Sequence, residues 1–153
     1  MAEKFFLLSL EDYKKYRDRI KAKKGWWWLR TQGCSKDRVA FVGNEGDLCS
    51  TGSHVASSGY VCPAMYLKPN ALLNLPWTKE GKYIKLGVNN NKPIKWQLLD
   101  WESGLCLVKK PMAQRIFDVN VNNYESSEIY MFLKDMENYF SEEELSLIEE
   151  TII

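Results

Sequence analysis

The chain has 153 residues, with 21 basic and 20 acidic side chains that leave a formal net charge of +1. This length suits a single domain with a substantial core, and the charge balance argues against the strongly basic surface of most nucleic-acid-binding proteins. No signal peptide is predicted, because acidic residues and no cleavage site follow the short N-terminal apolar run, and no stretch approaches the roughly 20 apolar residues of a membrane-spanning helix. The sequence therefore predicts a cytoplasmic protein without a nucleic-acid or membrane partner.

The first predicted elements are a short strand and a basic helix. Residues 5–8 are apolar and predict a buried strand, and Ser9 is a suitable N-cap for the helix that follows. Tyr13, Tyr16 and Ile20 share one face of that helix. Its many basic residues are interpreted as a solvated face rather than as a binding patch.

Between residues 26 and 67 the sequence consists of short apolar pieces separated by Gly, Ser, Asn and Asp, which favours strands and ordered loops. Residues 39–42 and 61–67 are the predicted strands, with a turn at residues 44–47. Residues 49–59 are small and polar, so they predict an exposed loop.

A connector is predicted at residues 69–81, which contain two prolines. After it, residues 83–86 and 94–100 predict a hairpin around residues 89–93, and residues 105–109 predict a third strand.

Two helices follow in the acidic C-terminal part. The first is capped by Ser126 or Ser127, and the second begins at a capping box of Ser141 and Glu144. The apolar stripe of the first helix is Ile129, Phe132, Leu133, Met136 and Tyr139 or Phe140. The final helix carries Leu145, Ile148 and Ile152. Together these elements predict one α+β domain with small antiparallel sheets, about three helices and a long irregular loop region.

Several motifs of the chain together resemble those of a bacterial domain family with the patterns W-W-L-R-S-P-G and G-V-R-P-A-L. The matching segments are residues 84–87, 93–99, 141–144, 6–9, 27–30 and 60–65, which read I-K-L-G, P-I-K-W-Q-L-L, S-E-E-E, F-L-L-S, W-W-L-R and Y-V-C-P-A-M. The family is similar to the C-type-lectin-like fold, which is shared with formylglycine-generating enzymes and with binding proteins diversified by retroelements. The resemblance implies a scaffold that displays a binding surface, and it implies no catalysis.

The order of the segments departs from that of the family. Residues 1–68 resemble its C-terminal half and residues 82–153 its N-terminal half, so the chain reads as a circular permutation. The connector at residues 69–81 would then join two strands that are neighbours in one sheet. Tandem copies cut across their boundary, or half-domains that complete each other in a swapped dimer, are the alternatives to a permuted monomer.

Substitutions at two places also depart from the family pattern. Cys62 stands where the family has arginine before Pro63, and Thr31 and Gln32 replace Ser-Pro. The missing arginine puts the usual local hydrogen-bond network in doubt.

The tryptophans are interpreted mainly as structural residues. We expect Trp27, Trp28 and Trp96 to pack in the core, and Trp26 to be partly exposed. Arg30 is predicted to form a buried ion pair or to bind loop carbonyls.

The hypothesis favoured by the sequence is a polar recognition surface within residues 32–58, which binds a protein or glycan partner. Its candidate residues are Lys36, Asp37, Arg38, Asn44, Glu45, Ser50, Thr51, Ser53, His54, Ser57 and Ser58. The first alternative is an ordered surface without a dedicated ligand. A second alternative is an intracellular regulatory protein that self-associates through its basic first helix and acidic C-terminal segment.

Catalysis is the least favoured class. Of the four cysteines, Cys34, Cys49, Cys62 and Cys106, none belongs to a C-x-x-C pair, and His54 is the single histidine. No metal, cofactor or catalytic residue is therefore predicted. The cysteines are expected to be reduced thiols, although Cys49 could bridge to Cys34 or Cys62 in a protein released from the cell.

Overall fold

The structure, a computed structural model, describes residues 2–73, 77–79 and 81–153. Within the predicted connector, Pro69–Leu73 forms a 3-10 helix, whereas residues 74–76 and 80 lie outside the described residues.

The described residues form three α-helices and eleven short strands, which confirms a mixed α+β protein with small sheets. The helices are α1 (Leu10–Tyr16), α2 (Glu128–Asp135) and α3 (Glu142–Ser146). Further 3-10 helices cover Arg17–Arg19, Tyr124–Ser126 and Met136–Tyr139. The strands are β1 (Ala2–Glu3), β2 (Trp27–Gln32), β3 (Arg38–Val42), β4 (Leu48–His54), β5 (Ser58–Val61), β6 (Ala64–Tyr66), β7 (Ile84–Asn89), β8 (Lys92–Asp100), β9 (Leu105–Val108), β10 (Ala113–Ile116) and β11 (Thr151–Ile152).

These strands form three sheets. One has five strands in the order β10-β5-β2-β3-β4, another has four in the order β6-β9-β8-β7, and β1 pairs with β11. All pairings are antiparallel except that of β2 with β5. Because β6 and β7 are the two edges of the four-stranded sheet, the expectation that the connector joins neighbouring strands is wrong. The β8–β9 hairpin fills the space between them.

The chain divides into two compact units. The first contains Met1–Phe6, Ala64–Lys109 and Leu133–Ile153, and the second contains Leu7–Pro63 and Lys110–Phe132. Each unit therefore combines segments from both sides of the predicted connector.

The first unit is built around Trp96, which is fully buried as predicted. Its indole Nε1 donates to the Leu86 carbonyl at 2.9 Å, and its ring stacks on Phe5 with centroids 6.1 Å apart. Phe140 lies 4.8 Å from Phe5 and passes directly over Gly87, where a Cβ atom would meet its ring at 2.6 Å. An aromatic cluster therefore closes the core of this unit.

The hairpin of the first unit is tighter than the sequence predicted. Strands β7 and β8 meet through Asn90 and Asn91, whose φ angles of 52° and 61° are those of a primed two-residue turn. Asparagine tolerates this left-handed conformation better than most residues. Strand pairing consequently extends into the predicted loop at residues 89–93.

Three capping predictions are confirmed by hydrogen bonds. Ser9 and Asp12 form a capping box at α1, and Ser141 and Glu144 form one at α3. The Ser127 hydroxyl accepts from the Tyr130 amide at 3.1 Å at the start of α2. These local patterns determine where helices begin, because each satisfies amides that have no partner within the helix.

The ends of the helices were predicted less well. Helix α1 stops at Tyr16 and tightens into the 3-10 turn Arg17–Arg19, short of Ile20. Helix α3 stops at Ser146, so the predicted final helix through Ile152 is wrong. Ile148 instead forms a bridge to Leu67. Such pairing with a distant segment leaves no signal in local periodicity.

Two predicted strands differ in the structure. Residues 5–8 are buried but form only the bridge of Phe6 with Ala64. The polar groups of Leu7 are satisfied by side chains, since its amide donates to Tyr124 Oη and its carbonyl accepts from Arg30. The strand predicted at residues 61–67 is interrupted at Pro63, which has no amide to continue a ladder, and its parts belong to different sheets as β5 and β6.

The exposed loop predicted at residues 49–59 is also wrong. Most of it is strand, because β4 and β5 cover Leu48–His54 and Ser58–Val61. Val55 between them is fully buried, and its amide and carbonyl bond to the Asp37 carbonyl and the Phe117 amide, both at 2.8 Å. The hydroxyl residues of the edge strand β4 leave little alternation of apolar and polar side chains, so the sequence of this strand resembled that of a loop.

Candidate recognition surface

The predicted recognition residues lie along one hairpin, and the structure divides them between its ends. Arg38 pairs with His54 at one end of the β3–β4 hairpin, and Val42 pairs with Leu48 at the other. The ends are about 13 Å apart, at 3.3 Å per residue of strand. The end at His54 holds Lys36, Asp37, Arg38, Ser53, His54, Ser57 and Ser58. Asn44 and Glu45 lie in the turn at the opposite end, and Ser50 and Thr51 lie in a bulge between the ends.

The end at His54 contains a group of neighbouring polar residues, which we call the His54 patch: Ser35, Lys36, Asp37, His54 and Ser57. The Ser35 hydroxyl donates to Asp37 Oδ1 at 2.7 Å, and Asp37 Oδ2 lies 3.4 Å from His54 Nε2. His54 Nδ1 accepts from the Ala56 amide at 3.1 Å, which assigns the proton of a neutral imidazole to Nε2. The Asp37 and His54 side chains remain 43% and 48% exposed, so both can contact a partner.

The neighbours of Asp37 favour its charged form. The hydrogen bond from Ser35 lowers the pKa of the Asp37 carboxyl, against a smaller opposing effect of desolvation. Its own backbone amide and the charges of His54 and Arg38 lower the pKa further. The patch therefore presents a fixed acceptor at neutral pH, beside the donors of Lys36 and His54.

A buried amide fixes the backbone beneath the patch. Asn122 is only 7% exposed, and its Nδ2 donates to the carbonyls of Ser35 and Arg38, each at 2.9 Å. Its backbone amide donates to the Lys36 carbonyl, also at 2.9 Å. One residue thus satisfies three carbonyls of the segment that carries the patch. In the sequence Asn122 lies in a polar stretch that looked like an ordinary connection, so no signal distinguished it.

Three adjacent tryptophans, residues 26–28, lie in the same unit as the His54 patch. Trp27 and Trp28 are 1% and 0% exposed, which confirms both as core residues, and Trp26 is partly exposed as predicted. Trp28 Nε1 donates to the Arg115 carbonyl at 3.1 Å, and its ring meets Trp26 edge to face at 4.8 Å. Gly59 lies against both rings, and a Cβ there would come within 2.6 Å of Trp26. Only glycine therefore allows β5 to approach the indoles this closely.

Arg30 performs both roles that the sequence left open. Its Nη1 donates to the Leu7 carbonyl at 2.6 Å and lies 3.4 Å from Asp12 Oδ2. The ion pair is half-buried rather than buried, with 22% of the Arg30 side chain exposed.

The cysteines fall into two classes. All four are free thiols, and Cys34 is exposed while Cys49 is half-buried, with its Sγ 3.4 Å from Thr51 Oγ1. Burial raises the pKa of the Cys62 and Cys106 thiols to about 12. For Cys62 the nearby charge of Lys23 opposes this effect, and desolvation in turn lowers the pKa of Lys23. Buried thiols of such high pKa are poor nucleophiles at neutral pH.

Comparisons with protein-family models, with curated proteins and with solved structures return no match for this chain. Among the described residues, no three His, Cys, Asp or Glu side chains are grouped so as to hold a metal ion. The same residues include no helix with the length and apolar character that crossing a membrane requires.

Proposed function

We propose that the protein is a non-enzymatic recognition module that binds a protein or glycan partner through the His54 patch. The observation that carries this proposal is the Asn122 side chain, which ties the patch segment to the unit through two 2.9 Å hydrogen bonds. A surface fixed in this way loses little conformational entropy on binding, so its polar groups can contribute more to affinity.

The patch offers complementary hydrogen-bonding chemistry within a small area. Lys36 is exposed and donates, Asp37 accepts, and His54 donates from Nε2. Ser57 adds a hydroxyl in the tight turn after β4, where its amide donates to the His54 carbonyl at 2.9 Å. Partners rich in hydroxyl, amide or carboxylate groups match this arrangement.

We further propose that the fold is a C-type-lectin-like module with its halves exchanged. Two observations support this reading. Each compact unit combines segments from before and after the connector, and β1 pairs with β11, which places residues 2 and 152 side by side. Adjacent ends are a condition for circular permutation.

The permutation can be tested by reversing it. A gene that joins residue 153 to residue 2 through a short linker and opens the chain within residues 74–80 should give a protein with the same NMR fingerprint. An unfolded product would contradict the permutation. A permuted monomer would also be contradicted if the wild-type protein were a dimer in solution that dissociates only on unfolding.

The recognition function can be tested with a photo-crosslinking amino acid at position 36 and with a glycan array. We expect the position-36 probe to capture one discrete protein, or the wild-type protein to bind one discrete glycan group on the array. Unlabelled wild-type protein should compete with either interaction, and the double variant Asp37→Ala, His54→Ala should not.

The matched controls are a probe at position 14, which lies exposed on α1, and the double variant Asn44→Ala, Ser50→Ala. These sites lie outside the His54 patch. Equal capture at positions 36 and 14, or equal competition by both double variants, would refute recognition through the patch.

A further inference from the structure

A second polar site lies in the same unit, away from the His54 patch. An open cleft of about 350 Å³ lies between the end of α1, the following 3-10 turn and the turn between β3 and β4. This volume falls in the range of small-molecule sites. The lining residues are Tyr13, Arg17, Ile20, Ala22, Glu45, Gly46 and Asp47.

The walls of the cleft are fixed to each other. Tyr13 Oη donates to the Gly46 carbonyl at 2.6 Å, and the Tyr13 ring meets buried Trp27 edge to face at 5.6 Å. The turn is closed by the Gly43 amide, which donates to the Asp47 carbonyl at 2.7 Å. Gly46 has a φ angle of +86°, which glycine adopts without strain. The helix and the turn therefore present their charged side chains from a preorganised frame.

Charges of opposite sign line this cleft without pairing. The Arg17 guanidinium lies 5.7 Å over the Tyr13 ring, hydrogen-bonds to the Tyr13 side chain and makes a long contact of 3.4 Å to the Gly46 carbonyl. Glu45 and Asp47 contribute carboxylates, yet within the described part of the chain neither forms an ion pair with Arg17. A guanidinium has five donors, so Arg17 has several left for a ligand. Opposite charges that line one cleft and form no ion pair with each other leave both signs available to a dipolar ligand.

We propose that this cleft binds a small zwitterion that carries an ammonium and a carboxylate group, such as an amino acid or a dipeptide. Arg17 would bind the carboxylate, Glu45 and Asp47 would bind the ammonium, and Ile20 with Ala22 would contact the apolar part. Both ligand charges are needed, because either alone leaves one set of cleft charges without a partner. This site is independent of the proposed recognition function.

The probes are L-leucine and the dipeptide Gly-Leu, with isopentylamine and 4-methylpentanoate as analogues of leucine that keep one charge. Titration followed by amide NMR should give saturable shifts at Ile20 and Gly46 with at least one zwitterion. We expect each single-charge analogue to bind at least about tenfold more weakly, as the loss of one charge-assisted contact implies.

Two variants and two matched controls make the test specific. Arg17→Gln and Glu45→Gln should each weaken zwitterion binding about tenfold or more. Arg19→Gln and Glu11→Gln make the same charge changes at exposed positions outside the cleft and should leave binding unchanged. All four sites are on the surface, so the NMR fingerprint of each variant should remain native. Lack of saturation with both zwitterions, equal binding of a single-charge analogue, or equal losses in controls and variants would overturn the proposal.

Discussion

The side chain of Asn122 donates a 2.9 Å hydrogen bond to the carbonyl of Arg38, a residue 84 positions earlier in the chain. The same amide nitrogen donates to the Ser35 carbonyl, so it bridges the two ends of the tight turn before β3. The buried amide adds to backbone pairing, because the Ser35 carbonyl also accepts from the Arg38 amide and the Arg38 carbonyl from the Gly33 amide.

Replacing Asn122 should loosen the patch and lower stability. Asn122→Ala removes two hydrogen bonds to carbonyls that each keep one backbone donor, and this loss should cost about 2 kcal/mol of unfolding free energy. Urea denaturation measures this loss, and amide exchange of residues 35–38 measures the loosening. The neighbouring exposed Asn123 provides the control, since Asn123→Ala should change stability by less than about 0.5 kcal/mol. Equal effects of the two substitutions would contradict the role given to Asn122.

Removing the Ser35 hydroxyl should raise the pKa of Asp37. This hydrogen bond is the largest cause of the lowered pKa of Asp37, so Ser35→Ala should return the pKa toward its ordinary value of 3.8. A carboxyl with a depressed folded-state pKa stabilises the fold above its unfolded-state pKa, and this contribution is lost as the pH falls through the folded-state pKa. Titration of the Asp37 carboxyl carbon by NMR checks the shift. Ser50→Ala serves as the control, and an unchanged Asp37 pKa in Ser35→Ala would rule out the assigned cause.

The thiols should react in two separate groups. In the native protein at pH 8, iodoacetamide should modify exposed Cys34 first and half-buried Cys49 more slowly. Cys62 and Cys106 should react only after unfolding, because burial raises both pKa values to about 12 and blocks access. Mass spectrometry of peptides from timed samples distinguishes the sites. Modification of Cys62 in the native protein at the rate of Cys34 would show that its surroundings are open.

The two adjacent indoles Trp26 and Trp28 should differ in their contribution to stability. Trp28→Phe leaves a cavity in a fully buried site and removes the hydrogen bond to the Arg115 carbonyl, so it should cost about 3 kcal/mol. Trp26→Phe, at a partly exposed position, should cost about 1 kcal/mol. Thermal and urea unfolding measure both. Similar losses would mean that Trp26 carries as much of the packing as Trp28.

Local chemistry accounts for the parts of the fold that could be predicted. Ser9, Ser127 and Ser141 mark helix starts because each hydroxyl bonds to an amide within the next turn. The buried tryptophans were also predictable, since their apolar area favours the core wherever it lies. Strand β10 and the edge strand β4 were missed because their residues show little apolar alternation, and the partner of β10 is distant in the chain.

The candidate site was likewise predictable only in part. The residue types at 36, 37 and 54 indicated a polar surface, but the sequence grouped them with Asn44 and Glu45, which the hairpin places at its other end. The bond from Asn122 and the cleft between Arg17 and Glu45 join segments far apart in sequence.

The sequence alone therefore determined the α+β class, the helix starts and the tryptophan core, because capping and burial depend on neighbouring residues and on composition. Only the tertiary structure decided which polar residues act together. Strand register and long-range hydrogen bonds set those distances, and both depend on chain segments that meet only when the protein folds.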